Sequence, residues 1–146
     1  MKIFFKKLRG NASVPKKATQ YSAGYDLCSA SAEDIVIPAG EIRMIPIGIA
    51  AEPERNDIGL FVFPRSGLAS KFGITLANSV GVIDADYRGE IMVPLINHGK
   101  DEFTVTEGMR IAQLVVMPVL SQEWTEAQFL DETDRSGSGF GSSGVN

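Results

Sequence analysis

The chain has 146 residues, with 14 Lys and Arg against 18 Asp and Glu, one His and one Cys, and a formal net charge of −4. That length suits one domain able to bury roughly 70% of the surface its unfolded form exposes. The acidic balance argues against nucleic acid as a partner, since such binding rests on a basic face, and no apolar run approaches the roughly 20 residues of a membrane span. Any anionic ligand must therefore meet a local cluster of cations. The lone Cys28 excludes an intrachain disulfide and metal ligation by Cys pairs.

The opening "MKIFFKKLRG" starts like a secretory signal, but Lys6 and Lys7 cut short the run Ile3, Phe4, Phe5. A first strand is expected there, in a cytoplasmic protein with no membrane partner. Short β-branched runs separated by Gly, Pro and Asn follow at strand spacing, as in "DIVIPAGEIRMIPIGIA" and "DIGLFVFP", with little helical periodicity. "RSGLASKFG", bounded by Pro64 and Gly73, is the one plausible helical turn. In "IMVPLIN", Ile91, Val93 and Leu95 fall on one face and Met92, Pro94 and Ile96 on the other. "NHGK" then supplies a turn before Phe103 and Val105 resume the alternation, which predicts a hairpin or meander. Pro46, Pro94 and Pro118 have no N–H for a ladder and are expected at edges, bulges or first residues. The whole predicts an all-β fold, a sandwich or jelly roll of short strands over residues 1–130. From residue 131 the composition turns to glycine, serine and charge, which predicts a flexible tail at 131–146.

Three stretches mix polar residues into apolar surroundings. "FPRSGLASK" puts Arg65, Ser66 and Gly67 directly after a strongly apolar strand. A guanidinium, a hydroxyl and backbone N–H groups at a Gly-permitted turn make a phosphate cradle, although for this stretch standing alone a strand-to-helix turn with an N-capping Ser is the favoured reading. "NSVGVIDADYRGEI" sets Asn78, Asp84, Asp86, Tyr87 and Arg88 around an apolar hairpin. Its Asp and Gly residues are turn formers, and a carboxylate there is also a base for water. "EGMRIAQLVV" holds Arg110 and Gln113 in an otherwise core-like strand. His98 reads as an exposed turn residue, and Cys28 as a small core residue rather than a nucleophile.

In chain order, "AGYDLCSA" (23–30), "PRSGLASK" (64–71), "NSVGVIDADYRGEI" (78–91), "GMRIAQL" (108–114) and "RSGSGFGSSG" (135–144) resemble the five motifs of the homotrimeric dUTPase family. The resemblance implies an enzyme of the dUTPase jelly-roll type that converts dUTP to dUMP and pyrophosphate with Mg2+. It would keep uracil out of DNA and supply dUMP for thymidylate synthesis. Carried over by position, Asp84 is the catalytic aspartate that orients and deprotonates water for in-line attack on the α-phosphorus. Asp26 holds Mg2+ largely through water, Arg65, Ser66 and Gly67 form the phosphate loop, Gln113 reaches the phosphates, and Arg110 braces the site. Asn78 and the backbone of Gly81, Val82, Ile83 and Met92 read uracil, while Tyr87 packs against deoxyribose. In the tail, Arg135 and Ser142 reach the phosphates, and Phe140, beside Gly141, stacks over uracil at a neighbouring subunit's site. Each site of the implied trimer takes motifs one, two and four from one chain, three from a second and five from a third.

Two other readings share this fold. A dCTP deaminase carries a catalytic glutamate at the position that aligns with Pro94, and proline transfers no proton. A non-catalytic dUTP-binding sensor would retain the fold without turnover, against which stand Asp26 and Asp84.

Overall fold

The computed structural model describes residues 1–134, 136 and 137; the tail residues Arg135, Phe140, Gly141 and Ser142 lie outside them. Among the described residues there are eleven strands and one helix. In chain order the strands are β1 Ile3–Lys7, β2 Tyr25–Cys28, β3 Ile35–Ile37, β4 Ile42–Pro46, β5 Ile49–Pro53 and β6 Ile58–Pro64. After helix α1, Ser66–Phe72, come β7 Ile74–Leu76, β8 Gly81–Ile83, β9 Met92–Asn97, β10 Phe103–Val105 and β11 Arg110–Pro118. The fold is all-β, built of short antiparallel strands as the sequence predicts. Among the described residues the last strand ends at Pro118, and residues 119–134 form no helix or strand.

A four-stranded sheet in the order β2-β11-β6-β8 and a three-stranded sheet in the order β4-β9-β7 are accompanied by two-stranded pairs β1-β5 and β10-β3. All the strand pairs are antiparallel. One core joins them: Leu27, Leu60, Val62 and Leu114 from the larger sheet pack in the same cluster as Ile45, Ile74, Val93 and Leu95 from the smaller. Fully burying each such side chain stabilises the fold by roughly 1.5–3 kcal/mol. The alternation read in "IMVPLIN" holds, with Ile91, Val93 and Leu95 buried and Met92, Pro94 and Ile96 half-buried.

The predicted helical turn is α1, with Arg65 rather than Ser66 at its N-cap and no side-chain cap bond. Gly73 ends it at φ +70° in the left-handed region, its N–H donating to the Ala69 carbonyl. A side chain at Gly73 would also meet the Gly99 backbone N at 2.6 Å, so the turn after β9 packs directly on the end of α1.

The expected hairpin of β9 with β10 does not form, because β10 pairs with β3. Buried Asn97 explains the departure. Its amide Nδ2 donates to the Ile37 carbonyl at 2.9 Å and to the Asp101 carbonyl at 2.8 Å, and its Oδ1 accepts from Gly99 N at 2.8 Å. The turn is thereby tied to the end of β3, and the next strand emerges beside β3. Likewise "NSVGVIDADYRGEI" is not a self-paired hairpin: β8 pairs with β6, and β9 with β4 and β7.

Pro94 departs from its expected place as well, since β9 is the central strand of its sheet. The β7 ladder stops at Leu76↔Leu95, and just past it the Pro94 carbonyl accepts from Ala77 N at 2.8 Å. The missing donor thus falls where no ladder bond is required. Pro46 and Pro118 each close a strand, β4 and β11, as Pro53 and Pro64 close β5 and β6.

Candidate active site

Three antiparallel strands bring the first cluster together. In β11, Ala112 pairs with Leu27 and Gln113 with Asp26 on one side, while Ala112 pairs with Pro64 and Gln113 with Phe63 on the other. Arg65 follows Pro64 at once, so Asp26, Gln113 and Arg65 come out side by side. The β11–β2 register shifts between Arg110 and Ala112, a bulge that buries the consecutive residues Ile111 and Ala112. Bulges re-aim side chains. Here Arg110, on the near side of the bulge, also reaches Asp26.

Each Asp26 oxygen faces one guanidinium, with Arg65 Nε at 3.3 Å from Oδ1 and Arg110 Nη1 at 3.1 Å from Oδ2. Arg65 Nη1 also donates to the Arg110 carbonyl at 3.0 Å, and Gln113 Nε2 donates to the Pro64 carbonyl at 3.0 Å. Asp26, Arg65, Ser66, Gly67, Leu68, Lys71, Phe72 and Gln113 line a cavity of about 350 Å3. Arg65, Lys71 and neighbouring Arg110 outnumber Asp26, which supplies the local cationic cluster that an acidic protein needs to hold an anion. Burial and, next, the nearby Asp26 carboxylate push the Cys28 thiol up, which disfavours the thiolate and agrees with a packing role.

The second cluster is built mainly from backbone. Gly81, Val82 and Ile83 pair with Val62, Phe61 and Leu60 of β6, and a tight turn precedes them in which Ser79 takes φ +62° and Val80 N donates to the Asn78 carbonyl at 2.6 Å. A turn then closes with Tyr87 N donating to the Asp84 carbonyl at 3.1 Å. Asn78, Gly81, Val82, Ile83, Asp84, Tyr87, Glu90, Met92 and Pro94 are among the residues around a cavity of about 220 Å3. Asp84 is exposed, and among the described residues its carboxylate makes no hydrogen bond or ion pair. Arg88 folds back on this loop, its Nη1 donating to the Ala85 carbonyl at 2.8 Å and the Tyr87 carbonyl at 3.2 Å.

Among the described residues the candidates therefore fall into two sets that line two different cavities of one chain. Asp26, Arg65, Ser66, Gly67 and Gln113 make one, and Asn78, Gly81, Val82, Ile83, Asp84, Tyr87 and Met92 the other. The sequence reading missed Lys71 and Glu90. Lys71 stands one helical turn after Gly67, a spacing that could have flagged it once α1 was accepted. Glu90 is the last charged residue of the third motif segment, and nothing in its neighbourhood sets it apart from a surface charge.

The all-β fold is of the dUTPase jelly-roll type, as comparisons with known proteins show. The dUTPase family model matches residues 10–144. Curated relatives named deoxyuridine 5'-triphosphate nucleotidohydrolase include one from Rickettsia bellii (strain OSU 85-389), 55% identical over 133 residues that cover 90% of this chain and 87% of the relative. Another, from Rickettsia felis, is 51% identical over 145 residues, 98% of this chain and 97% of the relative. Among solved structures, the dUTPase of Staphylococcus bacteriophage 80alpha with dUPNHPP superposes with a TM-score of 0.88 at 27% identity, covering 99% of both chains. With the family model spanning all five motif segments and relatives above half identity along nearly the full length, the chain belongs to the dUTPase family.

Proposed function

We propose that this enzyme hydrolyses dUTP to dUMP and pyrophosphate, using the cavity at Gly81–Met92 for uracil and deoxyribose and the cluster at Asp26, Arg65 and Gln113 for the triphosphate. The observation that carries the proposal is the pairing of a backbone-lined cavity bearing an exposed carboxylate, Asp84, with a separate cavity rich in cations.

In the first cavity, Asn78 and the backbone of Gly81, Val82, Ile83 and Met92 hydrogen-bond the uracil edge. Cytosine would leave buried groups unpaired, a mismatch worth orders of magnitude in selectivity. Thymine adds a methyl group that a fixed backbone rejects by overlap. Tyr87 covers the sugar face and leaves no room for a 2′-hydroxyl. Asp84 orients a water and takes its proton as the water oxygen bonds to the α-phosphorus and the bond to the leaving pyrophosphate breaks. Arg65, Ser66, Gly67 and Gln113 hold the phosphates, and the guanidinium stabilises charge that moves onto the leaving group.

Among the described residues no three His, Cys, Asp or Glu side chains converge, and Asp26 is the one carboxylate among those lining the cation-rich cavity. That donor set fits Mg2+, which binds through few carboxylates and shares phosphate oxygens with the substrate. Asp26 would hold the ion, whose chemistry is neutralisation of triphosphate charge.

The division of the candidate residues into two cavities supports a homotrimer with shared sites. Asp26, Arg65 and Gln113 come from one chain, Asp84 and Tyr87 from a second, and Arg135, Phe140, Gly141 and Ser142 from a third. The physiological role that follows is cytoplasmic removal of dUTP, which keeps uracil out of DNA and supplies dUMP. Pro94 borders the base cavity and has no proton to transfer, which weighs against deamination.

The test is direct. Purified protein with Mg2+ releases dUMP and pyrophosphate from dUTP, and Asp84→Asn loses about 10²–10⁴-fold in turnover while still binding nucleotide. Binding of dUTP by the wild type without pyrophosphate release would replace this reading with the sensor.

A further inference from the structure

The loop that carries Asp84 and Tyr87 ends at Glu90, and this residue has partners far away in sequence. Its Oε1 accepts from Arg9 Nε at 2.6 Å and from Gly48 N at 3.0 Å, and its Oε2 accepts from Arg9 Nη2 at 3.1 Å. Its backbone carbonyl accepts from the Tyr87 hydroxyl at 3.1 Å. One residue thus grips the N-terminal turn with its carboxylate and the tyrosine with its carbonyl.

The other end of the grip is fixed. Gly48 sits at φ +75°, and a side chain there would meet the Cβ atoms of Ala12 and Ala30, each at 2.8 Å. Its carbonyl accepts from Leu8 N at 2.8 Å, and Ala12 N donates to the Arg9 carbonyl at 3.2 Å. On either side of Gly48, Ile47 N donates to the Ile91 carbonyl at 3.0 Å and Ile91 N to the Ile49 carbonyl at 2.8 Å. Residues 8–12, 47–49 and 90–91 therefore form one hydrogen-bonded knot beneath the base cavity, which Glu90 also lines.

Half-exposed ion pairs contribute little to global stability. A bidentate guanidinium–carboxylate pair does something else: it fixes direction. We propose that Arg9 and Glu90 are positioning residues for the base and sugar cavity, setting the Tyr87 hydroxyl and turning the Glu90 carboxylate away from nucleotide. This rests on the dUTPase reading above. Without Arg9, Glu90 keeps only the Gly48 donor, and an anion is freed beside a cavity meant for an anionic substrate. Tyr87 loosens with it, because its hydroxyl partner is the Glu90 backbone.

The experiment compares wild type, Arg9→Ala, Arg9→Lys, Glu90→Gln and the double variant Arg9→Ala/Glu90→Gln in steady-state hydrolysis of dUTP and UTP. Arg9→Ala raises KM for dUTP about tenfold with kcat changed less than about threefold, and narrows the preference for dUTP over UTP. Arg9→Lys recovers only part of the loss, lacking the second parallel donor. The double variant is no worse than Arg9→Ala, as expected for two groups acting as a unit. Amide exchange at Gly48 and Tyr87 quickens in Arg9→Ala at an unchanged melting temperature. Should Arg9→Ala fail to fold, Arg9→Lys carries the same KM and selectivity test. Folded variants with wild-type KM and wild-type preference would overturn the proposal while leaving the dUTPase reading intact. A wild type inactive on dUTP would remove that reading and this proposal with it.

Discussion

The two cavities solve different problems with different materials. The cluster around Asp26 is made of side chains, with opposite charges on two strands and at the start of the helix held in mutual contact. The cavity around Gly81 is made of backbone, where a short strand, a left-handed Ser79 and a closing turn fix hydrogen-bonding groups. Charge recognises a flexible polyanion, whose shape varies and whose charge does not. A rigid surface recognises a planar ring, whose neutral relatives differ by one group.

That contrast is sharpened most by removing the cation shared by both Asp26 and Arg110. Arg65→Ala is expected to lower kcat/KM for dUTP by about 10²–10³-fold, chiefly through kcat, with dUTP-over-UTP preference unchanged. Arg65→Lys restores little, because one ammonium does not reproduce contacts to both the Asp26 carboxylate and the Arg110 carbonyl. Gly81→Val attacks the other material. A Cβ at Gly81 would already approach Val62 Cβ at 3.1 Å, so a branched side chain displaces the wall of the base cavity. KM for dUTP rises about tenfold and the preference over UTP shifts, while an affinity measurement with pyrophosphate alone stays as in wild type.

The smallest effect lies in acid. The Arg9 guanidinium, through its hydrogen bond, holds the Glu90 carboxyl below its ordinary value. A carboxyl lowered by folding contributes stability above its unfolded value, and that contribution is lost as pH falls through the folded one. Melting temperature in the wild type should therefore fall more steeply than in Glu90→Gln once pH drops below about 4.5. Parallel curves would mean that the pair adds nothing to acid stability.

How far the sequence reveals this depends on whether a feature is local. Alternation around Val93 and Leu95, the helix between Pro64 and Gly73 and the motif segments are patterns within a few residues, and they were legible. The partner of β10 was not, because it is chosen by Asn97, a polar residue buried through three hydrogen bonds that no periodicity marks. Pro94 misled for a related reason: whether a missing donor matters depends on where β7 stops. Arg9 and Glu90 are 81 residues apart, and nothing in either neighbourhood names the other.

The bulge at Ile111 carries one more consequence, which concerns odd and even numbers. Arg110 and Gln113 are three positions apart, and on an uninterrupted strand such residues point to opposite faces. The extra residue changes the parity, so both serve the side of the sheet where Asp26 stands. Drawing Ile111 into a regular ladder with β2 at unchanged length would turn Arg110 to the opposite face from Gln113 and separate the two polar groups that the irregular ladder unites. In this strand the unpaired residue is part of the meaning, and a ladder with every rung filled would look better and say something else.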